Sequence, residues 1–359
     1  MSTLMQRSAS PHKRSGVRSA TSPPSASPYV FSRLAPAEET AVFDTYWRFA
    51  AKRQAVLMQR ARGCPPPWTD DPVLRRHKFT NAYRAADRVS QFLIARVIYA
   101  SEQRPEDIIF RILLFKLFNK IETWELLENH FGALAWKTFS TSAYARVLSR
   151  ARASSTRIYS AAYIMPTGRS AFGSPEKHRN HLALIEHMMK DGVTARLGKA
   201  TSLGAVYEIL RSYPTFGPFL AFQFAIDINY SPVIDFDEMS FVVPGPGARD
   251  GIAKCFKARG GLSEVDLIKL MADRQDVEFE KRGLRFERLG TRRLQLIDCQ
   301  NLFCEVDKYA RVMHPEVKGL TGRTRIKQVF EARPAPIELW FPPKWGINES
   351  VHQQIHRKA

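Results

Sequence analysis

Cysteine is scarce. Four cysteines in 359 residues (Cys64, Cys255, Cys299 and Cys304), none forming a CxxC pair, exclude a disulfide framework and a cysteine-built zinc site, and fit a reducing compartment. No apolar run approaches the ~18 residues needed to cross a bilayer, so a membrane is not expected as a partner. The N-terminus has no apolar h-region of the kind that marks a secretory signal. No GxxxxGK[ST] occurs anywhere, which excludes a conventional P-loop. Alternating strand patterns are few, the best being Arg285–Glu287 and Ile337–Phe341. Acid is in deficit: 35 Asp and Glu face 54 Lys and Arg, a net charge of +19, and the first 36 residues contain no acid at all.

That tail (residues 1–36) is rich in Ser, Pro, Arg and Ala and lacks the apolar content to fold, so an unstructured basic arm is expected. Its five cations, Arg7, Lys13, Arg14, Arg18 and Arg33, account for part of the excess; the remainder still carries +14. A basic folded body points to an extended polyanion, because each neutralised phosphate releases counterions. DNA is the expected partner and the expected location is intracellular and DNA-associated: the nucleus in a eukaryote, the cytoplasm in a bacterium or phage. The body (residues 37–333) reads as all-α, in one or two lobes, with at most a short β element, followed by an extension over residues 334–359.

Helical spacing recurs along the body. Val42, Tyr46, Phe49, Val56 and Leu57 space a first helix, stopped by Gly63 and Pro65-Pro66-Pro67. A long helix is expected near Tyr83–Ser101. Pro105 opens one that is apolar nearly all round and therefore buried. Thr123 suits the N-cap of a short helix, Ala143–Ser154 is basic and amphipathic, and Ser174-Pro175-Glu176 reads as the start of a helix reaching Met189. Leu203, Val206 and Leu210 space a helix ending at Ser212, Phe219–Ile228 is apolar on every side, and Leu262–Lys281 and Thr291–Val312 are amphipathic.

Between two of these helices stands Tyr213-Pro214-Thr215-Phe216-Gly217-Pro218, the layout of a helix–hairpin–helix, in which a glycine turn and a helix N-terminus face a DNA phosphate. Asp235, Asp237 and Glu238 follow the second helix. Here the chain resembles the helix–hairpin–helix DNA glycosylases, whose hairpin Leu-Pro-Gly-Val-Gly precedes a catalytic Asp by about twenty residues; Tyr213 and Thr215 replace the usual Leu and first Gly. The lysine of bifunctional glycosylases is replaced by Pro218 and Phe219, which argues against lyase chemistry. The resemblance implies Asp237 or Asp235 as a catalytic carboxylate orienting water or deprotonating a hydroxyl on an extruded base. Helix capping is the competing role, above all for Glu238.

Other groupings are candidates for phosphate or base contacts. Gly245 and Gly247, alternating with prolines, allow close backbone approach, and Arg249 adds a guanidinium fork; a rigid interhelix loop is the alternative. Asn81, Arg84, Asp87 and Arg88 share one face if their segment is helical, as do Lys116 and Asn119; a ligand-binding wall and an internal ion-pair network both fit. Glu305, Lys308 and Tyr309 lie at i, i+3 and i+4. His178 and His181 permit metal ligation, but no partner ligand is near in sequence, so surface histidines are expected and no metal is assigned. Arg282–Arg293 and Lys318–Lys327 are basic stretches able to track phosphates.

Taken together, Lys78–Arg88 (KFTNAYRAADR), Phe115–Asn119 with Thr123-Trp124, Ala161–Ile164, the Gly-Pro-Gly-Ala loop with Gly251, and Glu305–Tyr309 resemble the helical domain of the 5-hydroxymethyluracil DNA kinases, also described as α-glutamyl/putrescinyl thymine pyrophosphorylases. The resemblance spans about Phe43–Phe330. It implies a system in which a base hydroxymethyl group in DNA is phosphorylated during thymine hypermodification, with ATP and Mg²⁺ as cofactors if this chain is itself a kinase, and other base-modification enzymes as partners. A monofunctional base glycosylase and a non-catalytic DNA-binding module are the alternatives.

Overall fold

The computed structural model describes residues 36–161, 165–332 and 337–356; the expected basic arm, the motif residues Ala162, Tyr163 and Ile164, and the junction at 333–336 lie outside them. Fifteen helices are joined by one two-stranded antiparallel ladder among the described residues, an all-α fold with a short β element. In chain order the first elements are β1 (Glu38–Glu39), α1 (Ala41–Ala61), α2 (Pro72–Arg76), α3 (Arg88–Phe92), α4 (Pro105–Phe118), α5 (Ile121–Phe131), α6 (Thr141–Ala153), α7 (Arg169–Phe172), α8 (Lys177–Lys190), α9 (Val193–Gly198), α10 (Leu203–Arg211) and α11 (Pro218–Asn229). The rest are α12 (Pro246–Cys255), β2 (Phe256–Ala258), α13 (Glu264–Lys281), α14 (Leu296–Met313) and α15 (Asn348–His356).

Local chemistry sets most helix ends. Thr40 caps α1 by accepting from Val42 N at 3.1 Å, and Ser263 and Asp266 form a reciprocal capping box at α13. Proline at the first position opens α4, α11 and α12. At the end of α4, Asn119 takes the left-handed conformation (φ 48°) and closes the helix on Phe115 O at 2.7 Å. Asn119 is thus a C-cap, and its Oδ1 accepts from Lys116 Nζ at 3.0 Å.

Two groups of helices share one core. In the first, α4 packs against α5, α8, α9 and α11, and α10 pairs with α11; in the second, α14 is surrounded by α1, α12 and α13. α12 meets α14 so closely that a Cβ on Gly251 would lie 2.0 Å from Phe303 O. Residues 337–356 belong to the same unit: Phe341 and Val351 are buried, and Gln354 accepts from Gly290 N.

Several expectations are corrected. The stretch Tyr83–Ser101 is not one long helix: a 3₁₀ turn at Arg84–Ala86 is followed by α3 and by a π-helical turn over Leu93–Ile98. Carbonyls freed at its end are taken by Arg111, buried in α4, which donates to Val97 O at 2.8 Å and Glu102 O at 2.9 Å. Asn81, Arg84, Asp87 and Arg88 therefore do not share a helical face. The strands fall at Glu38–Glu39 and Phe256–Ala258 rather than at 285–287 or 337–341. Thr123 does not cap α5, whose N-cap is Lys120; its hydroxyl donates to Ile158 O instead. Ser174 accepts from Glu176 N, one turn ahead of α8.

Candidate functional site: an acidic cleft backed by a buried ion network

α10 packs against α11 across the turn at residues 212–217, and within that turn Thr215 sits in the left-handed region (φ 71°). Gly217 is the N-cap of α11 with φ −70°, and a Cβ there would meet nothing within 4 Å. Neither torsion nor packing requires glycine at 217.

α11 is apolar along nearly its whole length, and it carries one acid into the interior. Asp227 is fully buried and is held by two cations from distant segments: Arg84 Nη1 at 2.7 Å and Lys116 Nζ at 3.0 Å. Arg84 also donates through Nε to Gln223 Oε1 (3.1 Å) and through Nη1 to Tyr230 Oη (3.1 Å). Burial works to raise the Asp227 carboxyl, but the two cations outweigh it and hold it below the ordinary range. For Lys116 burial dominates and its ammonium is shifted down. Arg84 and Lys116 are 3% and 5% exposed, so a phosphate could reach them only by displacing Asp227. Both side chains therefore serve the interior in this structure.

The network leads outward. Arg84 N donates to Asp298 Oδ1 at 2.7 Å, and Gln295 N donates to the other oxygen of Asp298 at 2.9 Å. Burial, with Glu238 adding to it, pushes Asp298 up to about 7. Gln295 then lines an open cleft of about 290 Å³ together with Asp235, Phe236, Asp237, Glu238, Arg292 and Trp345. Glu238 is buried, raised by desolvation, and paired with Arg292 at 3.0 Å; the Arg292 guanidinium lies 3.5 Å from the centre of the Trp345 ring. Asn229, at the end of α11, clamps the acidic loop from both sides, accepting from Phe236 N and donating to Phe236 O, each at 2.9 Å. Lys344 Nζ pairs with Asp235 at 3.3 Å and donates to Ser231 O and Ile234 O. Asp237 accepts from Met239 N at 2.9 Å within a local turn, while its side chain remains exposed on the cleft. The next helix, α12, starts only at Pro246 with Gly245 as its N-cap, so neither acid is a helix cap: Asp237 stays open to the cleft, and Glu238 is an inward ion-pair partner.

A second buried network gathers the remaining motif residues. Arg53 donates to Asn81 Oδ1 at 2.6 Å and Thr80 O at 3.0 Å; Asn81 N donates to Asp87, whose carboxyl burial raises to about 7. Glu305 accepts from Thr80 N and pairs with Lys308 at 2.6 Å, while Tyr309 Oη donates to Asp71 at 2.6 Å. Asn81, Lys308 and Tyr309 come together here, away from Asp235 and Asp237, which share no contact with them. Arg88 is exposed at the start of α3.

The glycine–proline loop has a packing explanation. A Cβ on Gly245 would lie 2.8 Å from the Phe219 ring, and one on Gly247 would lie 3.0 Å from Cys304 Sγ. The close approach inferred for these glycines is made to the protein's own α11 and α14, and Arg249 pairs with Glu264 at 3.2 Å. His178 and His181 are not surface residues. Both are fully buried: His178 bonds Ser149 Oγ at 2.9 Å, and His181 bonds Tyr159 Oη and Pro166 O. Burial lowers His181 to about 4. Among the described residues no three His, Cys, Asp or Glu side chains converge to hold a metal, and none of their helices is long and apolar enough to cross a membrane.

Sequence reasoning passed over Asp227, Gln223, Asn229 and Asp298 as site residues, and took Arg292 only as part of a phosphate-tracking stretch. Only Asp227 carried a local signal, a lone charge in an otherwise apolar helix. Comparison with known proteins agrees with the motif placement. The family model described as "5-hmdU DNA kinase, helical domain" matches residues 40–319. A 5-hmdU DNA kinase of Bacillus phage SP10 is 27% identical over 288 residues, covering 75% of this chain and 45% of the relative, so this chain spans less than half of that protein's length. No solved structure matches the chain. With α1 through α14 inside the matched region, the chain belongs to the 5-hmdU DNA kinase helical-domain family.

Proposed function

We propose that this chain acts in phosphorylation of the hydroxymethyl group of 5-hydroxymethyluracil in DNA, as the helical unit that engages DNA and presents the acceptor base. The observation that carries this reading is the family match over residues 40–319. The acidic cleft supplies matching acceptor-side chemistry. Asp237, with Asp235 beside it, is the carboxylate proposed to take the proton of the base hydroxyl, because it is exposed on the cleft and held there by its bond to Met239 N. Arg292, laid on Trp345, places a fixed cation and an aromatic face on the same cleft. Gly217, at the N-terminus of α11, is the proposed point of close approach for a DNA phosphate.

A kinase needs a phosphoryl donor, and ATP with Mg²⁺ is the ordinary one. The described residues offer neither a P-loop nor a converging set of metal-binding side chains. The residues named above belong to the acceptor side of the reaction.

The test is incubation of DNA containing 5-hydroxymethyluracil with the protein, with and without ATP and Mg²⁺, followed by mass analysis of the nucleosides. A phosphorylated hydroxymethyl nucleoside formed only with ATP is expected, and Asp237→Asn should slow its formation by about 10²–10⁴-fold. An abasic product would instead assign a glycosylase. Unchanged nucleosides from a protein that still binds the DNA would reduce the chain to a binding module.

A further inference from the structure

A second opening shares no lining residue with the acidic cleft. It is a cavity of about 370 Å³ walled by Trp68, Phe79 and Phe330, with Arg53, Arg75 and His77 at its polar edges. The walls are fixed from outside. Phe330 is held by a short antiparallel pairing, Phe330 N donating to Arg76 O at 3.0 Å and Lys78 N to Gln328 O at 3.1 Å. Its ring meets Trp68 edge-on at 6.4 Å. Trp68 donates to Cys64 O at 2.7 Å and carries the Arg60 guanidinium over its ring at 4.8 Å. Phe79 packs edge-on against Phe49 at 5.3 Å.

Arg53 gives the cavity its polarity. It is 9% exposed, its Nε and Nη2 are committed to Thr80 O and Asn81 Oδ1, and its Nη1 has no hydrogen-bond partner among the described residues. Nη1 is not among the fully buried polar atoms left without a partner, so water reaches it and a ligand carbonyl can take that water's place. The two paired segments at the rim are basic. Arg75, Arg76 and Lys78 on one, and Arg325 and Lys327 on the other, are exposed and form no ion pair among the described residues, while Asp70 and Glu331 are the exposed acids beside them.

Aromatic faces select a flat ring, the Arg53 guanidinium selects a ring bearing a carbonyl oxygen, and cations spread along two paired segments suit a phosphodiester chain better than a single phosphate cluster. We propose that this cavity takes an unpaired nucleobase of DNA, by preference a pyrimidine whose carbonyl accepts from Arg53, and thereby anchors single-stranded or locally opened DNA while the acidic cleft works on another nucleotide. The inference rests on DNA being the polymer engaged, and not on phosphoryl transfer.

Binding of oligothymidine and of a fully paired duplex of equal length, read by fluorescence anisotropy and by tryptophan emission, tests it. Trp68→Phe should abolish an emission change that oligothymidine produces in the native protein. Phe330→Ala and Phe79→Leu, each checked for an unchanged melting temperature, should weaken oligothymidine about 10-fold, the loss of one stacked base, and leave duplex affinity within about 2-fold. Equal losses on both DNAs, or none, would overturn the assignment. So would tighter binding of oligouridine, which would make the partner RNA, or an emission change produced by ATP but not by oligothymidine, which would make the cavity a mononucleotide site. A protein that binds no oligonucleotide sinks this inference and the DNA part of the proposed function together. Retained oligothymidine binding without phosphoryl transfer sinks only the latter.

Discussion

Asp227 ties together two motifs that are remote in the chain, because Arg84 and Lys116 both point at its buried carboxylate. Removing the acid leaves two cations in the interior with no counter-charge, and breaking a buried pair in this way costs about 3–5 kcal/mol. Asp227→Ala should therefore lower the urea midpoint by a corresponding amount; a loss below about 1 kcal/mol would mean that water already screens the cluster. Asp298 gives a separate prediction in pH. Its carboxyl is raised to about 7 by burial, so between its ordinary value of about 3.9 and 7 the unfolded chain has lost this proton while the folded chain retains it. The contribution of Asp298 to stability is full below that window and declines as pH rises through it. Asparagine cannot titrate, but it can accept from only one of the two backbone donors, Arg84 N and Gln295 N, at a cost of about 1–3 kcal/mol. Asp298→Asn should be the less stable protein at pH 5, with a deficit that narrows by pH 7.5 in paired denaturant titrations. A deficit that stays constant from pH 5 to pH 7.5 would show that Asp298 is ionised throughout.

Among the elements, the two glycine–proline helix starts look alike in sequence and differ in what their glycines do. The α12 glycines are spacers against α14, and at Gly251 even a methyl group would overlap the Phe303 carbonyl. Gly251→Ala should cost about 1–3 kcal/mol or more through overpacking. Gly217→Ala faces open space and should leave the melting temperature nearly unchanged while weakening DNA binding, if a phosphate approaches there. Calorimetry together with DNA titration of the two variants separates these roles; a Gly217→Ala protein with native DNA affinity would remove the hairpin from the interface. The same contrast shows why part of the architecture was legible beforehand. Pro105, the all-round apolar α4 and the turn between α10 and α11 depend on residues close in sequence. The break at Leu93–Ile98 does not, because the carbonyls it frees are satisfied by Arg111 from the following helix. Likewise nothing local distinguishes Gly245 near a phosphate from Gly245 under the Phe219 ring, or Arg84 facing solvent from Arg84 facing an acid 143 residues away. The acidic loop was recognisable from its distance to the hairpin, whereas Arg292, Gln295 and Trp345 reach the same cleft only through the tertiary fold.

Over the whole molecule, a charge of +19 predicts affinity for a polyanion, and the fold decides which cations remain free to supply it. The two basic stretches, equivalent by composition, part company here. In the first, Arg282 pairs with Glu278 and Asp44, Arg288 and Arg293 with Asp276, and Arg292 with Glu238. In the second, Arg323, Arg325 and Lys327 are exposed and make no ion pair among the described residues. A cation already neutralised by a neighbouring carboxylate releases few counterions on meeting a phosphate, whereas an unpaired one releases nearly a full equivalent. Replacing Arg323, Arg325 and Lys327 together by glutamine should therefore make the plot of log K against log salt shallower by about 2–3 units, at roughly 0.7–0.9 per cation. The same exchange at Arg288 and Arg293 should leave the slope nearly as it was. Titrations of one oligonucleotide across a salt series in the two variants decide the point: equal changes in slope would mean that net charge alone, and not the surface left free by ion pairing, governs the affinity for that oligonucleotide.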